Sequence, residues 1–350
     1  MIYPGSPYSE QKLPIHFNGK PHTLKAYTYE PRIIHFEKAT VLCGRYPRAG
    51  NNVWVHGATY FSDQIELPGD GGIIAADEKA LRSLTNARRT YAIEKAILIG
   101  GRNNFGHFIF EILPKVFYLK NFIKDGYKFL IINNFPIRFL DYCKAFGIHR
   151  NDFICVDDWT NIAVNDLICS GSLVHRHPVN RMPAFSVSIF QQMRKIIIDW
   201  AIHQDTEYDP RPIILISRLH ERWRRIVNEA SIVTRLEDAG IAVDTSLPHL
   251  LTASDQVRQI NSSKVIISPI GGASPSVLFM GKDATAVEMT NSRIDGVFAH
   301  RMWCAVAGGR LEQISGYFDQ DCDNYGALVV DQDFKVEPDA VVAAVCRAII

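Results

Sequence analysis

Short apolar runs alternate with helix-like segments through most of this 350-residue chain, and this alternation restricts the fold more than any other feature. The runs hold three to five residues, which is the length of a buried strand and too short for a core helix. Glycine often closes the helical segment that follows. Strands that alternate with helices form βαβ units, so the sequence predicts an α/β fold with mainly parallel sheets.

The predicted strands and helices cover the chain from about residue 96 onwards. The strands are expected at residues 96–100, 129–133, 152–156, 213–216, 241–243, 265–268 and 284–288. The helices are expected at residues 136–146, 182–203, 229–239, 256–262, 275–280 and 339–349, with Asn228 as an N-cap and Thr252 with Asp255 as a capping box. Residues 1–75 hold short β-like runs and many Pro, Gly, Tyr and His residues, which predicts an irregular or β-rich start.

A polar segment with two prolines, residues 205–212, interrupts the alternation and is the best candidate for a linker. The pattern restarts after it. The sequence therefore predicts two Rossmann-like domains, residues 1–204 and 205–350, that face each other across a cleft. Ligands of such sheets bind outside the carboxyl ends of the strands.

Charge and composition limit the partners and the compartment. The chain has 38 basic and 37 acidic residues, a net charge of +1, which argues against nucleic acid as a partner. Seven scattered cysteines without a C-x-x-C pair predict reduced thiols in the cytoplasm. No apolar run reaches the ~18 residues of a membrane-spanning helix, and the first residues lack a signal-peptide pattern. Peripheral contact with the inner face of the plasma membrane stays open, as does the oligomeric state.

His107 and Glu111 are the candidate catalytic residues. They lie four residues apart near the start of a helix that follows a predicted strand, so they share one face. A histidine and a carboxylate in this relation supply a general base and the group that orients it. Two alternatives remain open: a solvated ion pair between Glu111 and Lys115, or a His107 that only hydrogen-bonds at the helix start. Asn103 and Asn104 are candidates for acceptor contact or support.

An arginine cluster follows the strand at residues 213–216. Residues 211–235 contain six arginines and two acids, a local charge of 6 − 2 = +4. Arginine is preferred where phosphate is bound by a planar, bidentate group, so a diphosphate is the natural small-molecule partner. A solvated basic loop and a nucleic-acid patch are the alternatives. The candidate donor-binding residues of the cluster are Arg218, Arg222, Arg224 and Arg225.

A turn of small residues and a strand-end carboxylate complete the candidate donor site. Gly271, Gly272, Ala273 and Ser274 follow a strand and precede a helix, where backbone N–H groups bind anions. Glu288 ends the next strand, where a carboxylate accepts hydrogen bonds from ribose. An ordinary βα turn and a helix cap are the alternatives. The chain has neither G-x-G-x-x-G nor G-x-x-x-x-G-K-[ST], which disfavours a nicotinamide oxidoreductase and a P-loop NTPase.

Three segments in this order resemble glycosyltransferase family 61, the group that includes capsular-polysaccharide-type transferases. Residues 104–115 read Asn-Phe-Gly-His-Phe-Ile-Phe-Glu-Ile-Leu-Pro-Lys and are similar to the family's N-[FY]-G-H-[FW]-x-x-[ED]-x-L-P-[RK] segment. Residues 214–229 contain Ile-Ser-Arg, Arg-Arg and Asn-Glu in the order of its second segment. Residues 256–288 contain the small-residue turn, Leu-Phe-Met and the final glutamate of its third.

The resemblance implies a GT-B fold and an inverting, metal-independent glycosyltransferase of hexosyl or pentosyl groups. The N-terminal domain would bind a glycan or lipid-linked acceptor and the C-terminal domain a nucleotide-diphosphate sugar, which is a donor substrate and not a cofactor. The expected process is bacterial surface polysaccharide synthesis. One departure is clear: Ile270 stands where the family usually has histidine before the glycine turn. The alternative is therefore a catalytically inactive sugar-nucleotide-binding or scaffold protein.

Overall fold

A computed structural model describes most of the chain. The described residues are 9–28, 31, 33–46, 50–56, 73–75, 89–100, 104–132, 135–156, 160–170, 173–176, 183–204, 210–291, 298–318, 322 and 332–349. They form a mixed α/β structure with two sheets in which most neighbouring strands are parallel, so the α/β prediction is confirmed. This architecture is compatible with a Rossmann-like fold.

The strands in the described part are numbered in chain order. They are β1 (Ser9–Phe17), β2 (Lys20–Thr28), β3 (Ile33–Tyr46), β4 (Gly50–His56), β5 (Ile73–Ala75), β6 (Arg89–Leu98), β7 (Lys128–Ile132), β8 (Phe153–Val156), β9 (Thr160–Ser170), β10 (Val174–Arg176), β11 (Pro183–Phe185), β12 (Ile213–Ile216), β13 (Asp244–Ser246), β14 (Val265–Pro269), β15 (Thr285–Asn291) and β16 (Arg310–Gly316). The α-helices span Phe105–His107, Leu113–Leu119, Val187–Ile202, Glu229–Asp238, Ala253–Ser262, Phe298–Ala307 and Pro338–Ile349. A π-helical turn spans Phe108–Ile112, and 3₁₀ segments span Lys120–Asp125, Ile137–Phe146, Arg150–Asp152, Pro248–Leu250 and Ser274–Phe279.

The chain divides into two compact units. The first contains residues 1–11 and 26–193, and the second contains residues 12–25 and 194–350. The division therefore falls inside the helix Val187–Ile202, whereas the sequence predicted a boundary after residue 204. The second unit also includes residues 12–25. A division of the chain at a single boundary would assign this segment to the first unit.

The first unit contains a seven-stranded sheet in the order β5-β4-β3-β9-β6-β7-β8. Strands β9, β6, β7 and β8 run parallel, while β3 is antiparallel to both β4 and β9. Alternate residues of neighbouring strands, such as Leu98 on β6 and Val164 on β9, are buried in one apolar cluster. The parallel arrangement brings the carboxyl ends of β6 and β7 to the same edge, and the helix Phe105–His107 begins shortly after β6.

The sheet of the second unit includes strands in the order β1-β16-β15-β14-β12-β13, and every neighbouring pair among them is parallel. Its strand β12 is buried at all four positions, as expected for a parallel sheet covered on both faces. Leu236, Val287 and Val345 belong to one core cluster, so the helices Glu229–Asp238 and Pro338–Ile349 cover the same face. This packing leaves the loops after β12 and β14 together at the carboxyl edge.

Several predicted elements differ from the structure in informative ways. The predicted strand 241–243 is wrong by three residues, since β13 begins at Asp244. The helix predicted over residues 182–203 begins later, at Val187, and the strand β11 precedes it. Asn228 does not cap a helix through its side chain, because its amide exchanges hydrogen bonds with the backbone of Val336, at 2.8 and 3.1 Å. Thr252 does cap: its Oγ1 accepts from the Asp255 N–H at 3.2 Å.

Candidate functional site

The first candidate site lies at the start of the helix that follows β6. Asn104 is the N-cap, and its Oδ1 accepts a hydrogen bond from the His107 N–H at 3.1 Å. This bond satisfies one of the backbone donors that a helix start leaves without an intrahelical acceptor. Asn104 therefore supports the turn that carries His107. Asn103, its predicted companion, lies outside the described residues.

A π-helical turn carries Glu111. The N–H of Leu113 donates to the carbonyl of Phe108, five residues back, instead of the usual four. Pro114, which lacks an N–H, then occupies the first turn of the next α-helix, where no intrahelical donor is required. The helix type therefore changes just before Pro114. Turns of this kind occur frequently at functional sites.

His107 and Glu111 are in contact. The distance between His107 Nδ1 and Glu111 Oε1 is 2.6 Å, and the side chains are 30% and 8% exposed. A buried carboxylate that accepts from Nδ1 fixes the imidazole tautomer and leaves Nε2 to take a proton. The alternative of a solvated ion pair with Lys115 is wrong, because Lys115 is completely buried and Glu111 nearly so.

The second unit brings the predicted donor-site segments to one edge of its sheet. Glu288 pairs with Ser268 on β14 and with Gln313 on β16, so it lies one residue below the end of β14. The arginine-rich loop follows β12, and the small-residue turn follows β14. Because carboxyl ends of parallel strands meet at the same edge, the three segments become neighbours.

Arg218 and Gly271 meet at this edge. A Cβ atom on Gly271 would stand 2.5 Å from Nη1 of Arg218 and 2.7 Å from its Cζ. Glycine is therefore required for the guanidinium to occupy its place. Nη2 of Arg218 also donates to the carbonyl of Trp223 at 3.0 Å. The arginine is held between its own loop and the turn after β14.

The turn after β14 is closed by Ser274. Its hydroxyl accepts a hydrogen bond from the Gly271 N–H at 2.7 Å and lies 3.0 Å from the Gly271 carbonyl. The Gly271 N–H is thus engaged within the turn, while Gly272 and Ala273 are half-buried at its tip. Ile270 is buried, and its N–H donates to the carbonyl of Met289 at 2.8 Å.

The remaining arginines of the cluster have different surroundings. Arg225 donates from its backbone N–H to Oδ1 of Asp333 at 2.8 Å, and from Nε and Nη2 to Oδ2 at 2.8 and 2.6 Å. This carboxylate raises the pKa of Arg225. The guanidinium of Arg222 stacks 4.4 Å above the ring of Trp223. Arg224 has a left-handed backbone, with φ of +58°, which is strained for a residue with a side chain.

Glu288 lies inside the sheet instead of at a strand end, since β15 continues to Asn291. Its Oε2 accepts from Nε2 of Gln313 at 3.1 Å, and its Oε1 contacts Nδ1 of His300. Burial, and then the charge of Arg224, lower the pKa of His300 to about 3. His300 is therefore a neutral imidazole next to a buried carboxylate.

Sequence reasoning missed three residues that hold this edge together. Asp333, His300 and Gln313 are buried or partly buried, and each contacts a predicted site residue. None lies in a recognisable motif or at helical spacing from its partner. Only the sheet register, in which Gln313 faces Glu288 on the next strand, would have revealed one of them.

The described residues contain no cluster of three or more His, Cys, Asp or Glu side chains arranged to hold a metal ion. The helices in the described part are all too short or too polar to cross a bilayer.

The comparison with protein families identifies the chain. The model of the family described as Glycosyltransferase 61 matches residues 105–287, slightly more than half of the chain. The match begins at the helix that carries His107 and ends one residue before Glu288. A comparison with curated proteins gives no match. The chain belongs to glycosyltransferase family 61, and this membership implies glycosyltransferase activity with a nucleotide-sugar donor and a glycan acceptor.

Proposed function

We propose that the protein is an inverting glycosyltransferase that moves a hexosyl or pentosyl group from a nucleotide-diphosphate donor to a hydroxyl of a glycan or lipid-linked acceptor. The observation that carries this proposal is the close contact between the guanidinium of Arg218 and Gly271, at the carboxyl edge of the second unit's sheet. A guanidinium fixed at such an edge is suited to bind and neutralise a diphosphate.

The proposed reaction is a direct displacement at the anomeric carbon. The acceptor hydroxyl loses its proton to His107 or to Glu111 as its oxygen bonds to that carbon. The bond from the carbon to the diphosphate oxygen breaks, and the electron pair leaves with the nucleotide diphosphate. Arg218, together with Arg222, Arg224 and the tip of the turn at Gly272 and Ala273, stabilises the departing charge. A single displacement inverts the anomeric configuration.

The 2.6 Å contact between His107 and Glu111 supports a division of roles in this step. His107 is the more exposed partner and is the proposed base, while Glu111 orients the ring. Arg225 is a candidate donor contact whose guanidinium also binds Asp333. In this scheme the first unit supplies the base and the second binds the donor, as in the GT-B fold. We place the reaction in the cytoplasm or at the inner face of the plasma membrane, in surface polysaccharide synthesis, with no metal ion.

A donor screen followed by product analysis tests the proposal. The protein is incubated with UDP-, GDP-, CMP- and dTDP-sugars and a panel of glycan acceptors, with and without EDTA. The expected result is transfer from a nucleotide-diphosphate sugar, an inverted anomeric proton coupling in the NMR spectrum of the product, and an unchanged rate in EDTA. Retention of configuration contradicts the displacement, and loss of activity in EDTA contradicts metal independence.

A catalytically inactive sugar-nucleotide-binding protein is the second candidate function. Ile270 favours it, because a buried isoleucine beside the glycine turn offers no side-chain hydrogen bond to a donor. Titration calorimetry separates the two. Binding of a nucleotide diphosphate without transfer or donor hydrolysis supports the inactive protein, and turnover excludes it.

A further inference from the structure

The second unit contains its own carboxylate–imidazole pair, formed by Glu288 and His300. The contact joins Oε1 of Glu288 to Nδ1 of His300, and the side chains are 3% and 6% exposed. The His107–Glu111 pair also uses Nδ1 of its imidazole. Unlike that pair, this one lies almost wholly inside the protein.

Both oxygens of the Glu288 carboxylate face protein groups. Oε1 meets His300, and Oε2 accepts a hydrogen bond from Gln313 at 3.1 Å. The strands β14 and β16 flank Glu288 on either side. With both oxygens already in contact with protein side chains, Glu288 is less available to a ligand hydroxyl than its position in the sequence implies.

The chemistry of the pair fixes which hydrogen bonds His300 can form. Burial and the nearby Arg224 keep the imidazole neutral. A neutral imidazole whose Nδ1 faces a carboxylate carries its proton on Nδ1, so Nε2 has a free lone pair and acts as an acceptor. Such an atom repels phosphate oxygens and selects an O–H or N–H donor. Phosphate recognition thus falls to the arginines of the neighbouring loop.

We propose that Nε2 of His300 accepts a hydrogen bond from a ribose hydroxyl of the nucleotide donor, with Glu288 as the positioning residue that fixes the imidazole tautomer. This inference rests on the proposed function and assigns the ribose contact to His300, where the sequence alone pointed to Glu288. A hydroxyl satisfies an acceptor of this kind, and ribose binds at the carboxyl edge in dinucleotide folds.

The test pairs protein variants with ligand variants. Titration calorimetry measures the affinity of the full-length protein for the nucleotide diphosphate that binds it best, and for its 2′-deoxy and 3′-deoxy analogues. His300→Asn keeps an amide at the place of Nδ1 and removes Nε2, while His300→Gln returns a polar atom near Nε2. We expect His300→Asn to weaken binding of the ribonucleotide about 10-fold, as for one hydrogen bond of about 1.4 kcal/mol, and His300→Gln to recover most of this loss. The deoxy analogue that lacks the hydroxyl bound by His300 should have the same affinity for wild type and for His300→Asn, because neither can form this hydrogen bond with it.

A second measurement does not depend on the variants folding. Nitrogen-15 NMR of histidine-labelled wild-type protein distinguishes the two neutral tautomers, and we expect His300 to carry its proton on Nδ1. The opposite tautomer overturns the proposal. Equal losses for the ribonucleotide and both deoxy analogues in His300→Asn also overturn it, since they indicate a structural role, and in that case the proposed transferase function stands. Absence of any nucleotide diphosphate binding by wild type removes the proposed function and this inference together.

Discussion

The guanidinium of Arg218 occupies the space that a side chain on Gly271 would fill. The two residues follow different strands, β12 and β14, so the contact joins two loops of the second unit at their bases. Substituting the glycine should therefore displace a functional group while leaving the sheet intact, because the atoms that must move are the far end of a flexible side chain.

Gly271→Ala should reduce transfer at least about 10-fold, since misplacing a charged group by about 1 Å weakens its interaction with the transition state. The melting temperature should change little. Steady-state kinetics and thermal denaturation measure the two effects. In the Arg218→Ala background the same substitution should have no further effect on rate, and an additive loss would show that Gly271 acts independently of Arg218.

His107→Asn should lower kcat by a factor of about 10² to 10⁴, the usual contribution of a general base. The asparagine amide can still reach Glu111 but has no basic nitrogen at the position of Nε2. Glu111→Gln should also lower kcat, by a smaller factor, because the ring loses its orienting charge. Rates are measured with saturating donor. The matched control is His203→Asn, at an exposed helix end where Nδ1 contacts the carbonyl of Asp199 at 2.6 Å; this variant should keep the wild-type rate.

Asp333→Ala should lower the free energy of unfolding by about 2 kcal/mol. The substitution removes the acceptor of three hydrogen bonds from Arg225, one of them from its backbone. The value lies below the ~3–5 kcal/mol of a fully buried pair because the arginine side chain is 41% exposed. Asp339→Ala is the control: its contact with Arg235 is 2.7 Å long, similar to the 2.6 Å contact of Arg225 with Asp333, but both side chains are exposed, so we expect about 0–1 kcal/mol. Equal losses in urea denaturation would contradict the prediction.

Glu229 should make stability depend on pH. Burial raises its pKa, against the opposing effects of hydrogen bonds from the Ser217 side chain and the Arg218 backbone and of the charge of His220. Because the folded-state pKa exceeds the unfolded value of about 4.3, the contribution to stability is present below pH ~4.3 and is lost as pH rises through the folded-state pKa. Glu229→Gln should therefore gain in melting temperature relative to wild type between pH 4 and 8. The matched control is Glu237→Gln, at an exposed position. A constant difference for Glu229→Gln over this range would refute the assignment.

Much of the second unit's sheet could be predicted from sequence because its strands are apolar on both faces. The strand β12 matches its predicted bounds, and β14 extends only one residue further. The prediction failed where a polar residue is buried with partners. The sequence predicts Glu288 at a strand end, but β15 continues past it, and its buried carboxylate accepts from Gln313 and contacts His300.

The contacts within the candidate site could also be predicted from sequence only in part. The contact between His107 and Glu111 follows from helical spacing, which the sequence displays directly. The contact between Arg225 and Asp333 joins residues 108 positions apart, and no local pattern encodes it. Arg218 and Gly271 were both predicted as site residues, but their mutual contact depends on the order of β12 and β14 in the sheet.

The inclusion of residues 12–25 in the second unit affects how the chain folds during its synthesis. His16 on β1 pairs with Arg310 on β16, so β1 must remain without this neighbour until the residues between the two strands have been synthesised. Such a long-range pairing is slow to form and leaves an unpaired strand edge open to association with other chains in the meantime. A recombinant fragment that starts at residue 194 would carry the same open edge permanently, so the second unit is best produced from the full-length chain.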